Sequence, residues 1–190
     1  EDFLQIIKNS PVNRLSLGIQ SLNDKSLQII GRRAKLAENL RAIELINKFW
    51  LCKNSAKSGS AGRRFSADLI CGLPLQTEKD FLEDLQKIIN CGADHISLYS
   101  LMLEENTRLF DMVEKGLCKI NQDESDEWWI LGRDLLEKNG FAQYEVSNFC
   151  KAGCESRHNL CYWQMQNYIG IGAGAGHGYI ETYRIGQGVC

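Results

Sequence analysis

The sequence predicts an α/β protein in which parallel βαβ units build a curved sheet or open barrel. Three observations carry that expectation. Segments alternating with period two are separated by helical patterns, the rhythm of βαβ units. One face of those strands is aliphatic (Leu15, Leu17, Ile19; Phe65, Ala67, Leu69, Cys71; Ile96, Leu98) and suits packing under helices. The other face carries Ser16, Gly18, Gln20, Ser66, Asp68, Ser97 and Tyr99. A flat doubly wound sheet is apolar on both faces, so a polar face points to a lumen around a polar ligand.

The first strand is Arg14–Gln20. A helix beginning near Asn23 follows, then a break at Gly31, then a second helical pattern through Leu36, Leu40, Ile43 and Ile46. Lys53–Arg64, KNSAKSGSAGRR, is a polar Gly/Ser-rich insertion that reads as a loop. Phe65–Gly72 is the second strand. After it, Thr77-Glu-Lys-Asp80 has the form of a capping box, with Phe81, Leu82, Leu85, Ile88 and Ile89 at helical spacing behind it. Asn90-Cys91-Gly92 stops that helix, with Gly92 at the left-handed position. His95–Leu101 is the third strand. Asp123 or Ser125 is placed to cap a helix from Asp126 to Lys138, closed by Asn139-Gly140, whose apolar face is Trp128, Leu131, Leu135 and Leu136. Phe141–Phe149 reads as a further strand, completing one more α-then-β unit. From Phe149 to Trp163 neither period is followed, so irregular backbone is expected. Glycine and alanine dominate Ile169–Gly178, which suits close backbone packing.

At 190 residues the chain can bury one real core, and 44% hydrophobic with 24% charged residues is ordinary for a globular protein. A net charge of -2 leaves no electrostatic footprint for nucleic acid, and no apolar run could span a bilayer. The chain starts at Glu1 rather than Met, so the missing secretory signal decides nothing. Cys52, Cys71, Cys91 and Cys118 stand singly beside apolar elements, as buried thiols do. Cys150, Cys154 and Cys161 read C-x3-C-x6-C, which fits no compact zinc pattern. It is not C-x3-C-x2-C either, because Arg157 stands where a third cysteine would be. The cysteines are read as the mark of a reducing, cytoplasmic setting.

Two groups of residues are candidates for chemistry. Gln20 and Asp68 lie near the C-terminal ends of strands, where parallel barrels place ligand groups; on pattern alone, satisfaction inside the lumen or by a turn is equally open. Arg32 could reach a carboxylate there or be a solvated helix-end cation. Glu104 and Thr107 follow the third strand at the same mouth, and Gly72-Leu73-Pro74 reads as a structural turn. The second group lies in Gln143–Trp163: Glu145, Asn148, Arg157, His158, Asn159, Tyr162 and Trp163. Imidazole is a good iron ligand, and aromatic faces can hold a flat apolar macrocycle. A surface loop with one satisfied histidine and a buried Tyr–Trp pair is an equal reading of those residues. The GxGxG string in Ile169–Ala175 lacks a strand–turn–helix setting and is rejected as a dinucleotide fingerprint.

Four stretches carry a resemblance: Asn13–Asn23 (NRLSLGIQSLN), Ala67–Thr77 (ADLICGLPLQT), His95–Ser100 (HISLYS), and His158–Trp163 (HNLCYW) with Asn167–Ala175 after it. Together they resemble the coproporphyrinogen oxidase/HemW family of radical S-adenosylmethionine proteins, from about Val12 to Gly178. The resemblance implies part of an open (β/α)6 radical-SAM-type barrel over residues 1–117 and a smaller C-terminal α+β region over 118–190. It implies that Gln20, Arg32 and Asp68 contact S-adenosylmethionine, with Ile70 beside the adenine. Glu104 and Thr107 match the family's Glu-Pro-Gly-Thr turn, although Glu105 and Asn106 stand between them here. By the same resemblance His158 ligates heme iron, Tyr162 and Trp163 contact the macrocycle, and Arg157 pairs with a propionate; no residue is assigned as catalytic.

The activity so implied is that of a heme chaperone delivering heme to an apo-hemoprotein, of a respiratory kind. The alternative is an oxygen-independent coproporphyrinogen III oxidase that decarboxylates propionates through a 5′-deoxyadenosyl radical. The implied cofactors are S-adenosylmethionine, a [4Fe–4S] cluster with ligands outside this chain, and heme. No nucleic acid and no membrane-integral segment are expected, and homodimerisation is left open. Three departures from the family pattern stand. The C-x3-C-x2-C motif and the glycine-rich segment after it are not in these residues, so the chain reads as the C-terminal portion of a longer protein. The Lys53–Arg64 insertion is longer than the usual link, and Gly176 is an extra residue before His177.

Overall fold

The computed structural model describes residues 2–51 and 62–171. Five strands form one mixed sheet in the order β1-β2-β3-β5-β4. The three long ones, β1 (Arg14–Gln20), β2 (Arg64–Cys71) and β3 (His95–Ser100), are parallel neighbours, as the alternation of the sequence predicts. Helices α2 (Asp24–Ile29) and α3 (Leu36–Leu45), with a π-helical turn at Ile46–Trp50, connect β1 to β2; α4 (Glu78–Asn90) connects β2 to β3. Helix α1 (Asp2–Lys8) precedes β1, and α5 (Arg108–Glu114) and α6 (Gln122–Lys138) follow β3. The chain divides into two compact units at the boundary between Cys154 and Glu155.

The core is the aliphatic strand face under the helices. Phe65, Ala67, Leu69, Cys71, Ile96 and Leu98 are buried against Phe81, Leu85 and Ile88 of α4, with Leu136 of α6 and Trp50 in the same cluster. The edge strand β1 is less covered, and Leu15 and Leu17 are only half-buried. The capping box of α4 is present: Thr77 Oγ1 accepts from the Asp80 amide and Asp80 Oδ2 from the Thr77 amide. Gly92 ends that helix at φ +92°, the left-handed conformation that needs no Cβ.

Three expectations are corrected. The cap of α6 is Asn121, whose Oδ1 accepts from the Glu124 amide, and the helix starts at Gln122 instead of Asp126. Ser125 is unavailable as a cap because it is buried inside the helix, against Gly72. Phe141–Phe149 is not one strand but a hairpin of β4 (Ala142–Gln143) and β5 (Asn148–Cys150). Glu145 Oε1 accepts from the Ser147 amide and Gln143 Nε2 donates to the Val146 carbonyl, which turns the chain back. β5 therefore runs antiparallel to β3, and no fourth parallel unit forms. The residues after Ser156 are not irregular: α7 (Arg157–Trp163) is a helix whose N-cap Ser156 Oγ accepts from the Asn159 amide. It buries no residue of its own, so no apolar period marks it in the sequence.

Residues 53–61 of the Lys53–Arg64 insertion, and Gly176 and His177, lie outside the described residues, as does most of the Ile169–Gly178 stretch. No described helix is long and apolar enough to cross a membrane.

Candidate functional site

The inner face of the sheet is a set of polar rows fixed by register. Gly18, Asp68, Ser97 and Asn148 stand side by side across β1, β2, β3 and β5. Ser97 Oγ donates to Asn148 Oδ1 at 2.6 Å, and Ser16 Oγ donates to Asp68 Oδ1 at 3.2 Å. Burial pushes the Asp68 carboxyl up from its ordinary value, against the neighbouring Ser97 and Ser16 hydroxyls and the charge of Arg32. One row toward the strand starts, His95 Nδ1 lies 2.7 Å from Ser66 Oγ and Nε2 lies 2.8 Å from Tyr144 Oη. This imidazole is satisfied on both nitrogens and buried, with its pKa pushed down to about 4 by burial and the Arg14 charge.

At the C-terminal ends of the strands, β1 departs from regular pairing. The register with β2 slips between Gly18 and Gln20, and Gln20 sits at φ +65°. The Ser21 amide donates to the Ile19 carbonyl at 2.8 Å across it. A bond of that span around a positive φ is the γ-turn rarely seen because it is strained. The turn lays the Gln20 side chain against its own strand: a Cβ on Gly18 would lie 2.8 Å from Gln20 Nε2 and 3.1 Å from Arg32 Nη2. Arg32, led back by Gly31 at φ +75°, donates to the Gly18 carbonyl.

These groups border a cleft of about 380 Å³ whose walls include Gln20, Arg32, Ile70, Glu104 and Thr107. Asp68 is not on its wall but lies close enough to feel the Arg32 charge. The remaining lining is largely aliphatic, with Ile29, Ile30, Leu73 and Leu101 among it. Gln20 Oε1 is buried and accepts no hydrogen bond from the protein. An orphaned acceptor in an apolar cleft, beside a guanidinium, fits a ligand with polar donors and a carboxylate on a flat or aliphatic body. S-adenosylmethionine is a molecule of that kind. A metal cluster does not find its ligands here: among the described residues, no three His, Cys, Asp or Glu side chains come together to hold a metal ion.

The second group sits on α7. His158, Tyr162 and Tyr168 form a line of edge-to-face rings, with centroids 5.0 Å apart for His158–Tyr162 and 4.6 Å for Tyr162–Tyr168. His158 and Tyr162 are four residues apart and so share a helix face. His158 and Arg157 are exposed, and Tyr162 and Trp163 are 45% and 55% exposed, so the buried Tyr–Trp pair does not occur. Glu145 and Asn148 belong elsewhere, to the β4–β5 hairpin. Cys71, Cys150 and Cys154 are buried thiols, whereas Cys91, Cys118 and Cys161 are half-exposed.

Sequence reasoning missed the polar groups behind β1. Asp84 of α4 is buried, and its Oδ2 accepts from the Leu22 amide at 2.7 Å and from Ser21 Oγ at 3.0 Å. Asn39 of α3, also buried, donates to the Ile19 and Ser21 carbonyls at 3.3 and 3.4 Å. The signal was present: Asp84 falls on the apolar stripe of Phe81, Leu85 and Ile88, where a carboxylate has no reason to be unless it is bonded.

No protein-family model matches the chain. It is 37% identical over 182 residues to the heme chaperone HemW of Bacillus subtilis, a match covering 95% of this chain and 45% of that protein. It is 44% identical over 168 residues to the mitochondrial radical S-adenosyl methionine domain-containing protein 1 of Mus musculus, covering 88% of this chain and 35% of that one. The coproporphyrinogen III oxidase HemN of Escherichia coli, a radical SAM enzyme, aligns with a TM-score of 0.67 at 16% identity, over 93% of this chain and 41% of its own. That likeness shows the fold alone. The chain spans less than half the length of these relatives.

Proposed function

We propose, for a chain that belongs to the HemW family of radical S-adenosylmethionine proteins, that it is the part of a heme chaperone that holds S-adenosylmethionine at the strand ends and heme at α7. The observation that carries the reading is HNLCYW over His158–Trp163, exposed on one helix, in a chain whose relatives are named heme chaperones. His158 presents an imidazole at the surface as the iron ligand. Tyr162 and Trp163 offer ring faces to the macrocycle, and Arg157 is placed to pair with a propionate in forked geometry. The acceptor is an apo-hemoprotein, of a respiratory kind, and the setting is cytoplasmic.

In the cleft, Gln20 Oε1 would accept from a polar donor of S-adenosylmethionine, Arg32 would meet its carboxylate, and Ile70 would pack on the adenine. Asp68, held by Ser16, would hold a donor beside Arg32. When bound beside a reduced [4Fe–4S] cluster, S-adenosylmethionine supplies an adenosyl radical. The cluster's ligands are assigned outside this chain. Residues 1–117 are assigned to an open barrel and 118–190 to the C-terminal region. The oxidase reading uses the same cleft, and nothing on α7 favours it.

The test is a heme titration of the full-length protein and its His158→Ala variant, followed by the Soret band with circular dichroism as a check on folding. Loss of the iron ligand lowers affinity by about tenfold or more. Unchanged affinity in a folded variant removes His158 from the site and leaves His177 or a cysteine as the ligand.

A further inference from the structure

The Gln20 γ-turn is held from behind the sheet. Its donor, Ser21, also donates its hydroxyl to Asp84 Oδ2 while its carbonyl accepts from Asn39 Nδ2, and the next amide, that of Leu22, donates to the same carboxylate oxygen at 2.7 Å. Asn39 Nδ2 reaches the Ile19 carbonyl as well, so both ends of the turn are bonded to helices on the far side of β1. Nothing local favours this conformation. Gln20 is neither glycine nor asparagine, and a left-handed side-chain residue costs about 1–2 kcal/mol. Asp84 itself costs energy: it is a carboxylate 5% exposed among Phe81, Leu85 and Ile88, with Lys87 only at 3.9 Å. Two unfavourable choices in direct sequence of contact are the mark of a shape kept for use.

We propose that Asp84 is a positioning residue: through Ser21 and Leu22 it holds the strained turn that sets Gln20 on the cleft wall. Asn39 assists by fixing the carbonyls on either side. The inference deepens the reading of the cleft as an S-adenosylmethionine site and rests on it for the identity of the ligand. It places a residue of α4, outside the cleft wall, in control of ligand affinity. The arrangement also explains why Gln20 Oε1 stays unpartnered: the turn is anchored by its backbone, which leaves the side-chain acceptor to the ligand.

A thermodynamic cycle tests the positioning without any ligand. Gln20→Gly is made in the full chain with and without Asp84→Ala, and the folding constants are read from urea denaturation. With Asp84 present the turn is enforced, so glycine relieves strain and raises the folding constant. With Asp84 removed the turn relaxes, so glycine brings no relief and only loosens the unfolded chain. The two effects of Gln20→Gly are expected to differ by about tenfold. Equal effects would overturn the proposal.

The second measurement is S-adenosylmethionine affinity by calorimetry, in the full-length, anaerobically reconstituted protein. Asp84→Ala weakens binding by about tenfold. Asp84→Asn keeps an acceptor for the Leu22 amide and restores most of it. A folded Asp84→Ala protein that binds as the wild type does overturns the proposal. If no form binds S-adenosylmethionine while the cycle shows coupling, the ligand reading of the cleft falls and the positioning role of Asp84 stands.

Discussion

The cleft at the strand ends and the aromatic line on α7 are built in opposite ways. Gln20, Arg32 and Asp68 come from three separate parts of the chain: the turn sets Gln20, Arg32 donates to the Gly18 carbonyl and Asp68 accepts from Ser16. His158, Tyr162 and Trp163 come from two turns of one short helix that buries none of its residues. The first site is shaped before a ligand arrives, so little side-chain entropy remains to be lost on binding. The second has its chemistry in sequence order and its rings in solvent, so ordering falls due when the ligand binds. A resident cofactor suits the first design. A cargo that must be picked up and released suits the second.

The contrast breaks most clearly at Gly72. This residue has φ +80°, adjoins Leu73 of the cleft wall, and a Cβ there would fall 1.8 Å from Ser125 Oγ and 2.6 Å from Ser125 Cβ. Gly72→Ala must therefore move α6 or β2 and accept a left-handed alanine. A loss of about 3 kcal/mol or more in urea denaturation is expected. A variant of near wild-type stability would mean that the cleft is as pliable as α7.

Next in size is a pH effect from the polar inner face. His95 has an ordinary pKa of 6.5 and a folded value of about 4, so the unfolded chain binds more protons between those values. Its contribution is complete above pH 6.5 and is lost as pH falls through that window to 4, by about 3 kcal/mol in all. Asp68, Asp84 and Asp94, raised by burial, act with the opposite sign and lose stability as pH rises through their folded values. The His95 share is thus read as the difference between wild type and His95→Gln over pH 4–7. A constant difference would remove the Ser66–His95–Tyr144 link from the framework of the sheet.

A smaller effect is expected at Gly18, which has no conformational need to be glycine and is set by contact alone. Its Cβ would displace Gln20 Nε2 and Arg32 Nη2, both ends of flexible side chains, so stability should change little. S-adenosylmethionine affinity of the full-length protein should fall about tenfold in Gly18→Ala, because the Gln20 amide leaves its place and Arg32 Nη2 is crowded. Calorimetry reads this directly, and an unchanged affinity would show that the cleft does not depend on either group.

What was legible in the sequence follows the range of the forces involved. The strands β1 to β3 and the α4 capping box are written locally, in alternation and in Thr77 and Asp80, and they form as read. The β4–β5 hairpin is not, because its partner is β3, some fifty residues away. Asn121, Asp123 and Ser125 are all good caps; burial against Gly72 removes Ser125, and the bond from the Glu124 amide to Asn121 Oδ1 sets the cap. The cleft was half legible. Alternation put Gln20 on the polar face, but the chain reaches that placement through a register slip and a γ-turn that no pattern announces. α7 was illegible for the opposite reason: a helix that buries nothing leaves no period to read.

The smallest effect tests the exposed half of the comparison. Tyr162 touches His158 at 5.0 Å and Tyr168 at 4.6 Å between centroids, yet 45% of it is exposed. Exposed side-chain pairs four apart on a helix stabilise it by about 0.2–0.5 kcal/mol. Tyr162→Ala should therefore cost about 0.5 kcal/mol or less in urea denaturation, within reach of the experiment but far below Gly72→Ala. In the same protein it should weaken heme binding, since the ring that aligns the His158 imidazole is gone. Tyr162→Phe keeps both ring contacts and should restore affinity. A loss of stability near that of a core residue would show that α7 is held by more than its own rings, and the distinction between a fixed cofactor site and an open cargo site would not survive it.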